Sequence, residues 1–545
     1  MKKLIWYGGA FLGGAAYALG APSWPIFHHP VIAIIGMSIF LASLSLWAPS
    51  LRHPLRHDLI VWALFSLGLY SVGFNWIPGT MQNFGGLNPA LSYFLGLLAA
   101  FLLAPQILVF ILLFHLGRKW GWPPAHENIL QKSFSLLLLA IIWLLLENFI
   151  PQQFPYHLGH SFMRLAPYLA PATIGGEPLY SGAAIWLAWA IALFLRQRHF
   201  DFWPWAANLI LITLSLLNPL PNPYLDPTAG TPLRLRLVQG SIGNDLKNRS
   251  ERGDGQAIQE VNRIYHELST SAASSKLDLI IWPETAIHQP FNTHLLTESP
   301  LINLPLIVDR TINDTHTSLF TGAYDIYDFQ QFNSALYFSS LPPGHKTKFA
   351  GHYHKIKLLA FGETLPFGPL NSYLYKFVGD LVSNFTPGDE YPIFDLAGKA
   401  SFIPNICYEI LLTAWQRRYL QHLAKSPDLI INLTNDSWFG RTAEPEQHLF
   451  LGKWRAVEFQ KAIVRSTNSG ISTIIYPNGK TSARLEVDLR GNLDQTIYLH
   501  PTQPTIYQRW GLGVVLGISA ILLLLMQLKA IFRKTNWPIK TKFKF

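Results

Sequence analysis

The chain has 545 residues, half of them hydrophobic and only 14% charged, with a formal net charge of +10 and a single cysteine. Soluble domains carry roughly 25% charged residues, so a wholly soluble protein is excluded, and one thiol excludes an intramolecular disulfide. The basic residues lie mostly at the ends of apolar runs, which fits membrane topology and argues against a nucleic-acid partner.

Apolar runs near 4–21, 30–49, 58–77, 88–116, 133–151, 177–195, 202–220 and 510–528 are each about long enough to cross a hydrocarbon core of ~30 Å. The first follows Lys2 and Lys3 as a signal peptide would, but further spans come directly after it, so it reads as a retained helix. The run 88–116 exceeds one crossing and calls for a tilt or an extension out of the bilayer. Arg52 and Arg56, then Arg118, Lys119 and Lys132, then Arg196 and Arg198 occupy every second connection. Lys529, Arg533, Lys534, Lys540, Lys542 and Lys544 follow the last run. The positive-inside rule then places both termini in the cytoplasm and residues 221–509 on the far side. Three parts are expected: a membrane domain of seven helices at 1–220, a soluble domain at 221–509, and an eighth transmembrane helix with a basic tail at 510–545.

The acidic residues mark the same boundary, since only six of 32 precede residue 233 and none follows residue 509. Between those limits, short β-rich runs are bounded by Gly, Pro, Asn or Asp. They predict strands within 233–240, 277–284, 304–309, 318–327, 334–340, 401–409, 429–435 and 471–479. Leu412, Trp415, Tyr419 and Leu423 recur at helical spacing, and "PEQHLFLGKWRAVEFQK" starts a helix at Pro445. Strands alternating with helices predict an α/β layered domain with a mixed sheet.

Three polar groups stand at strand edges: Glu284 after "LDLIIWP", Lys355 in "GHYHKIKLLAFGE", and Cys407 at the end of "SFIPNIC". Singly, each has an ordinary structural explanation: a helix cap, a solvated lysine, a buried small hydrophobe. Together they supply what acyl transfer needs without metal or cofactor. The carboxylate takes the thiol proton, and the ammonium stabilises negative charge on sulfur and on the tetrahedral oxyanion. His352 and His354 face one side of a strand, but without a third ligand they read as plain strand histidines. The stretch "PFGPLNSYLYKFVGDLVSNF" suits a lid at the membrane interface or ordinary loop packing. Arg455, Glu458 and Arg465 read as structural salt bridges in preference to a headgroup site.

The segments "WPETA", "YHKIKLLAFGETLPFG", "ICYE", "NLTNDSWFG" and "RSTNSG" resemble the nitrilase, or carbon–nitrogen hydrolase, superfamily, whose Glu-Lys-Cys triad appears in this order. Within it, nearly the whole chain resembles the apolipoprotein N-acyltransferase family. The resemblance implies an αββα sandwich, Glu284 as general base, Cys407 as nucleophile and Lys355 as the cation, with Glu363, Tyr408, Glu409 and Trp438 as supporting residues. It also implies a phospholipid acyl donor, diacylglyceryl-modified apolipoproteins as acceptors, and no cofactor. The departures are Ala360 for a usual Pro, Ser437 for a common Ala and Ser241 for Asn, none of them in the triad. The reading is of a monomer. The same triad would serve a membrane-tethered amidase, and a catalytically dead lipid-binding receptor would have no need of all three groups.

Overall fold

The computed structural model describes residues 2–21, 27–47, 51–83, 85–120, 129–228, 230–273, 275–298, 304–340, 348–378 and 383–534. Lys540, Lys542 and Lys544 and part of the suspected lid lie outside the described residues.

Every apolar run forms helix. Gln131–Phe149 and Ala172–Gln197 are long and apolar enough to cross a membrane. The pairs Pro54–Gly73 with Ile77–Asn83 and Pro89–Ala100 with Pro105–Lys119 are bent by 60° and 42°, which makes up to four crossings if each pair is one span. Leu4–Gly20, Pro30–Ser43, Phe202–Leu217 and Gly513–Leu528 are shorter apolar helices. Helix length therefore carries two to four crossings, fewer than the eight expected. The long run 88–116 is not one tilted helix but two, and Pro105 is the reason. Its ring bars Ala104 from helical geometry (φ −133°, ψ 56°), and it has no N–H for the preceding turn.

These helices pack closely and leave apolar side chains outward. A Cβ at Gly14 would lie 2.0 Å from the Phe65 carbonyl oxygen, and one at Gly68 would lie 2.0 Å from that of Phe11. Only glycine admits so close a backbone approach, a packing mode typical of helices in lipid. Leu97, Leu98, Leu113, Leu209, Leu217 and Leu525 are all exposed, a pattern that a lipid-facing surface explains.

Among the described residues of the second part of the chain are twelve strands: β1 (Thr231–Gln239), β2 (Leu279–Ile281), β3 (Ile287–Phe291), β4 (Ser318–Tyr327), β5 (Gln330–Ser339), β6 (Lys348–His354), β7 (Phe394–Leu396), β8 (Ala400–Ile406), β9 (Leu429–Thr434), β10 (Ala462–Thr467), β11 (Thr473–Ile475) and β12 (Gly491–Leu499). One mixed sheet runs β12-β1-β2-β4-β5-β6 with β3 against β4, and a second runs β11-β10-β9-β8-β7. Alternation explains how they stack. Leu235, Ile281, Phe320 and Tyr337 pack with Phe402, Ile403 and Ile430 of the second sheet. Their chain neighbours Ile280, Leu319, Leu336 and Phe338 pack with Val261, Ile264, Val308 and Ile312 on two outer helices. Helices Thr413–His422 and Glu444–Phe459 cover the second sheet with Trp415, Tyr419, Leu449 and Ala456, completing the αββα sandwich.

The run 304–309, expected as a strand, opens helix Leu306–Thr315 instead. Val308 and Ile312 are buried one turn apart, while Leu306 is 88% exposed. Six residues were too short a window to separate that period from a strand. Helix Glu444–Phe459 ties the sandwich to the apolar helices. Trp76 Nε1 donates to Gln447 Oε1 (3.3 Å), Gln447 Nε2 to the Gly73 carbonyl (2.7 Å), and Trp454 Nε1 to the His160 carbonyl (3.1 Å).

Gly68→Val should force apart helices Lys2–Gly20 and Pro54–Gly73 and cost ~1–3 kcal/mol, the usual scale of overpacking. A lowered unfolding temperature of the full chain in detergent is the expected readout, and an unchanged one would contradict the close approach.

Candidate active site

Three strands end at one rim. Glu284 lies three residues beyond β2, Lys355 follows β6 directly, and Cys407 follows β8 directly. Lys355 Nζ lies 2.7 Å from Glu363 Oε2 and 3.6 Å from Glu284 Oε1. Asn333 on β5 donates 2.7 Å bonds from Nδ2 to both Glu284 Oε1 and Glu363 Oε1. The Leu359 backbone N–H donates to Glu363 Oε2 (2.8 Å), closing a turn that fixes this carboxylate under the lysine. Cys407 is within electrostatic reach of both Lys355 and Glu284. The structure thus brings together the three residues expected to act and Glu363 with them.

Glu409 works from beneath. It accepts from the Tyr353 hydroxyl (2.6 Å), from the N–H groups of Ile356 (2.9 Å) and Lys357 (3.0 Å), and from that of Ile406 (2.9 Å). One buried carboxylate therefore pins the segment after Lys355 to the strand end that carries Cys407. Without it those buried donors would lose their acceptor, at about 1–3 kcal/mol each.

Burial sets the proton positions. It pushes the Cys407 thiol well above the ordinary value, with Glu284 adding to the rise and Lys355 opposing it. It also raises the Glu284 carboxyl above the usual 4.5, where Lys355 opposes and Glu363 reinforces the shift. For Lys355, burial works against the charge, yet Glu363, Glu284 and Cys407 together hold its pKa above the ordinary lysine value. The resting site is thus a thiol beside a firmly charged ammonium. Glu284 Oε2 is buried with no hydrogen-bond partner among the described residues, which leaves it a lone pair for a thiol proton.

The candidate nucleophile stands on a sharp turn. Cys407 has φ +49°, the left-handed region, at the start of the 3-10 turn Cys407–Leu411. Such strain in a non-glycine residue persists only when surroundings impose it. Here Asn432 Nδ2 and His448 Nε2 approach the Cys407 carbonyl oxygen at 3.5 and 3.3 Å. His448 Nδ1 in turn lies 3.3 Å from Asp436 Oδ1, and Arg465 donates to Asp436 Oδ2 (2.8 Å). A cavity of about 190 Å³ opens beside the site, lined by Glu284, Glu363 and Trp438 together with Lys247 and Phe385. Tyr408 is half-buried next to the nucleophile.

Asn333, Lys247, Tyr353 and His448 escaped the sequence reading. Asn333 left one signal, a lone amide inside the apolar strand "FNSALYF". Lys247 sits in the polar helix Asn244–Glu251 and is nonetheless buried, bonding the Thr285 hydroxyl at 3.1 Å. Arg455 pairs with Glu458 (2.9 Å) and Arg465 with Asp436, so these charges serve the structure, as expected. His354 is bound to Asp325 (2.8 Å). Among the described residues, two groups bring three potential metal-ligand atoms within 4.8 Å of one another: His157, His160 and Glu177, and Asp436, Glu444 and His448. In each, a protein ion pair already engages one carboxylate, Glu177 with His157 and Asp436 with Arg465.

A thiol, an ammonium and a carboxylate beyond the carboxyl ends of strands in an αββα sandwich, with a second carboxylate from a loop, define a class of enzyme acting on acyl–heteroatom bonds. Residues 235–507 match the carbon–nitrogen hydrolase family, and the chain belongs to it. The chain is similar to the apolipoprotein N-acyltransferase of Bdellovibrio bacteriovorus, 30% identical over 83% of this chain and 84% of that one. It is also similar to that of Shewanella oneidensis, 28% identical over 94% of both. Among solved structures, a CN-hydrolase superfamily protein from Xanthomonas campestris covers 49% of this chain and 91% of its own at 18% identity, with a TM-score of 0.35.

If Glu284 is the base it must be ionised, so activity should be lost as pH falls through its folded pKa, placing the acid limb of kcat/KM above 4.5. Lys247 holds that pKa down, so Lys247→Met should move the limb to higher pH; a limb that stays in place would contradict this role. Glu409→Gln replaces an acceptor by an amide N–H facing donors. It should slow acyl-enzyme formation by roughly 10–100-fold, in line with ~1–3 kcal/mol per orphaned buried group.

Proposed function

We propose that this chain transfers an acyl chain from a membrane phospholipid to the free α-amine of a diacylglyceryl-modified N-terminal cysteine on apolipoproteins. The observation that carries the reading is one buried ammonium flanked by two carboxylates beside the single thiol, in a domain fastened to apolar helices. Glu284 takes the Cys407 proton as sulfur attacks the glycerol ester carbonyl. Lys355 and the Tyr408 backbone N–H stabilise the oxyanion, each such donor being worth ~3–4 kcal/mol. The intermediate collapses, the proton held by Glu284 passes to the departing oxygen, and lysophospholipid leaves a thioester on Cys407. The acceptor amine attacks that thioester, Glu284 receives its proton, and the amide product leaves with the thiol restored. Thioester to amide is downhill, so the reaction needs no nucleotide at this stage.

The same reading accounts for the apolar half of the protein. Both substrates carry acyl chains, and each methylene drawn into water would cost ~0.8 kcal/mol, so a site beside the outer leaflet avoids their extraction. In this arrangement residues 1–220 and 510–545 supply eight crossings with the bent pairs each as one, and both termini lie in the cytoplasm. Residues 221–509 form the periplasmic catalytic domain of a monomer in the bacterial inner membrane. The basic loops and the outward leucines support that placement.

Purified wild-type protein given phospholipid alone should gain the mass of one acyl chain, sensitive to neutral hydroxylamine and located on the Cys407 peptide. Cys407→Ala should gain nothing and lose turnover by a thousandfold or more, the scale for loss of a nucleophile. Hydrolysis of a soluble amide with no lipid-derived adduct would instead favour an amidase, and normal turnover in Cys407→Ala would exclude this mechanism.

A further inference from the structure

A second cavity, of about 460 Å³, lies at the seam between the apolar helices and the sandwich. It shares no lining residue with the cavity beside Glu284. Helix Glu444–Phe459 separates the two functions by periodicity. His448 reaches the Cys407 carbonyl oxygen, while Glu446, Phe450 and Lys453, spaced by four and three residues, line the second cavity.

Its charge is one-sided. Arg164, Lys453, Lys480 and Arg484 line it against a single carboxylate, Glu446, which is already bonded to Arg484. Arg484 also reaches Glu486 (3.1 Å). Among the described residues, Arg164, Lys453 and Lys480 have no ion-pair partner. Lys453 is half-buried over the Phe450 ring (6.0 Å), and burial, with Arg484 nearby, pulls its pKa down against the pull of Glu446. Cations that converge on a concave, partly apolar wall raise one another's energy unless an anion joins them.

The wall is built from two regions of chain. Arg164 and Met163 lie on the turn Leu158–Leu165 between helices Gln131–Phe149 and Ala172–Gln197, and His28 lies between the first two helices. Against them presses a hairpin turn of the sandwich. A Cβ on Gly479 (φ +77°) would come within 2.9 Å of the Ala166 Cβ and 3.0 Å of the Met163 sulfur. The cavity therefore stands where the apolar helices end on the side of the catalytic domain, the level of lipid headgroups if those helices span a bilayer.

We propose that this cavity is a phosphate-binding site, separate from the catalytic cavity, whose ligand is the head of an anionic membrane lipid. Arg164, Lys453 and Lys480 surround the phosphate, as three charge-assisted donors that form no ion pair among the described residues. Phe450 and Met163 meet the first carbons of the lipid. The choice of lipid over free phosphate rests on the reading that the helices are membrane-embedded.

The test uses the full chain in detergent with Cys407→Ala, so that no acyl transfer intervenes and failure here stays distinct from failure of the proposed reaction. Native mass spectrometry measures retention of added phosphatidylglycerol against phosphatidylcholine, with glycerol 3-phosphate as competitor. The expected result is preferential retention of phosphatidylglycerol, reduced at least tenfold by Lys480→Glu and independently by Arg164→Glu. Both residues are exposed and come from opposite walls, so folding is preserved and can be verified by the unfolding temperature. Equal retention of the two lipids, or of phosphatidylglycerol by parent and both variants, would overturn the site. Displacement by equimolar glycerol 3-phosphate would overturn the lipid as its ligand.

Discussion

A lysine ammonium taken almost wholly out of water is unfavourable unless anions accompany it, and Lys355 retains its charge only because Glu363 and Glu284 stand at 2.7 and 3.6 Å. The other features of the site serve this pairing. Asn333 bridges the two carboxylates, the Leu359 turn holds one of them, and Glu409 fastens the lysine's segment to the nucleophile's strand. Burial, with Glu284 nearby, keeps the sulfur neutral at rest.

Glu284 and Cys407 stood out because each follows a buried apolar strand, whereas Lys355 follows the polar strand β6 and was singled out only by its spacing to the Glu of the family motif "FGE". Glu363 and Glu409 were legible only through short motifs matching a known family, since neither position stands out by periodicity. Asn333 and Tyr353 were hidden because alternation makes a strand's inward and outward residues look alike until the sheet partners are known. Lys247 belonged to a polar helix whose buried side no local pattern revealed. His448 acts on a backbone carbonyl that is 41 residues away, a contact fixed by tertiary packing alone.

The fold was legible at the level of layers and less so at the level of elements. Apolar length located the long helices of the first part but not Ile77–Asn83 or the breaks, which follow from a single proline at 105 and from the bend after Gly73. The run 304–309 combined β-branched and leucine side chains over too few residues to reveal its period. Strands β3, β7 and β12 are short or half-exposed, so their alternation carried little hydrophobic contrast. Buried β10 carries Arg465, whose charge disguised a core strand until Asp436 was seen to neutralise it.

Helix Glu444–Phe459 is covered on nearly every side: by the second sheet, by the nucleophile's turn and, through Trp454 and Val457, by the cluster formed with the apolar helices. It cannot be assigned to one part or the other. Severed from those helices, the sandwich would expose an indole and several aliphatic side chains beside its own catalytic turn. The enzyme is therefore not a soluble catalyst on a leash but a single piece of machinery, and evolution could not exchange one half without rewriting this helix as well.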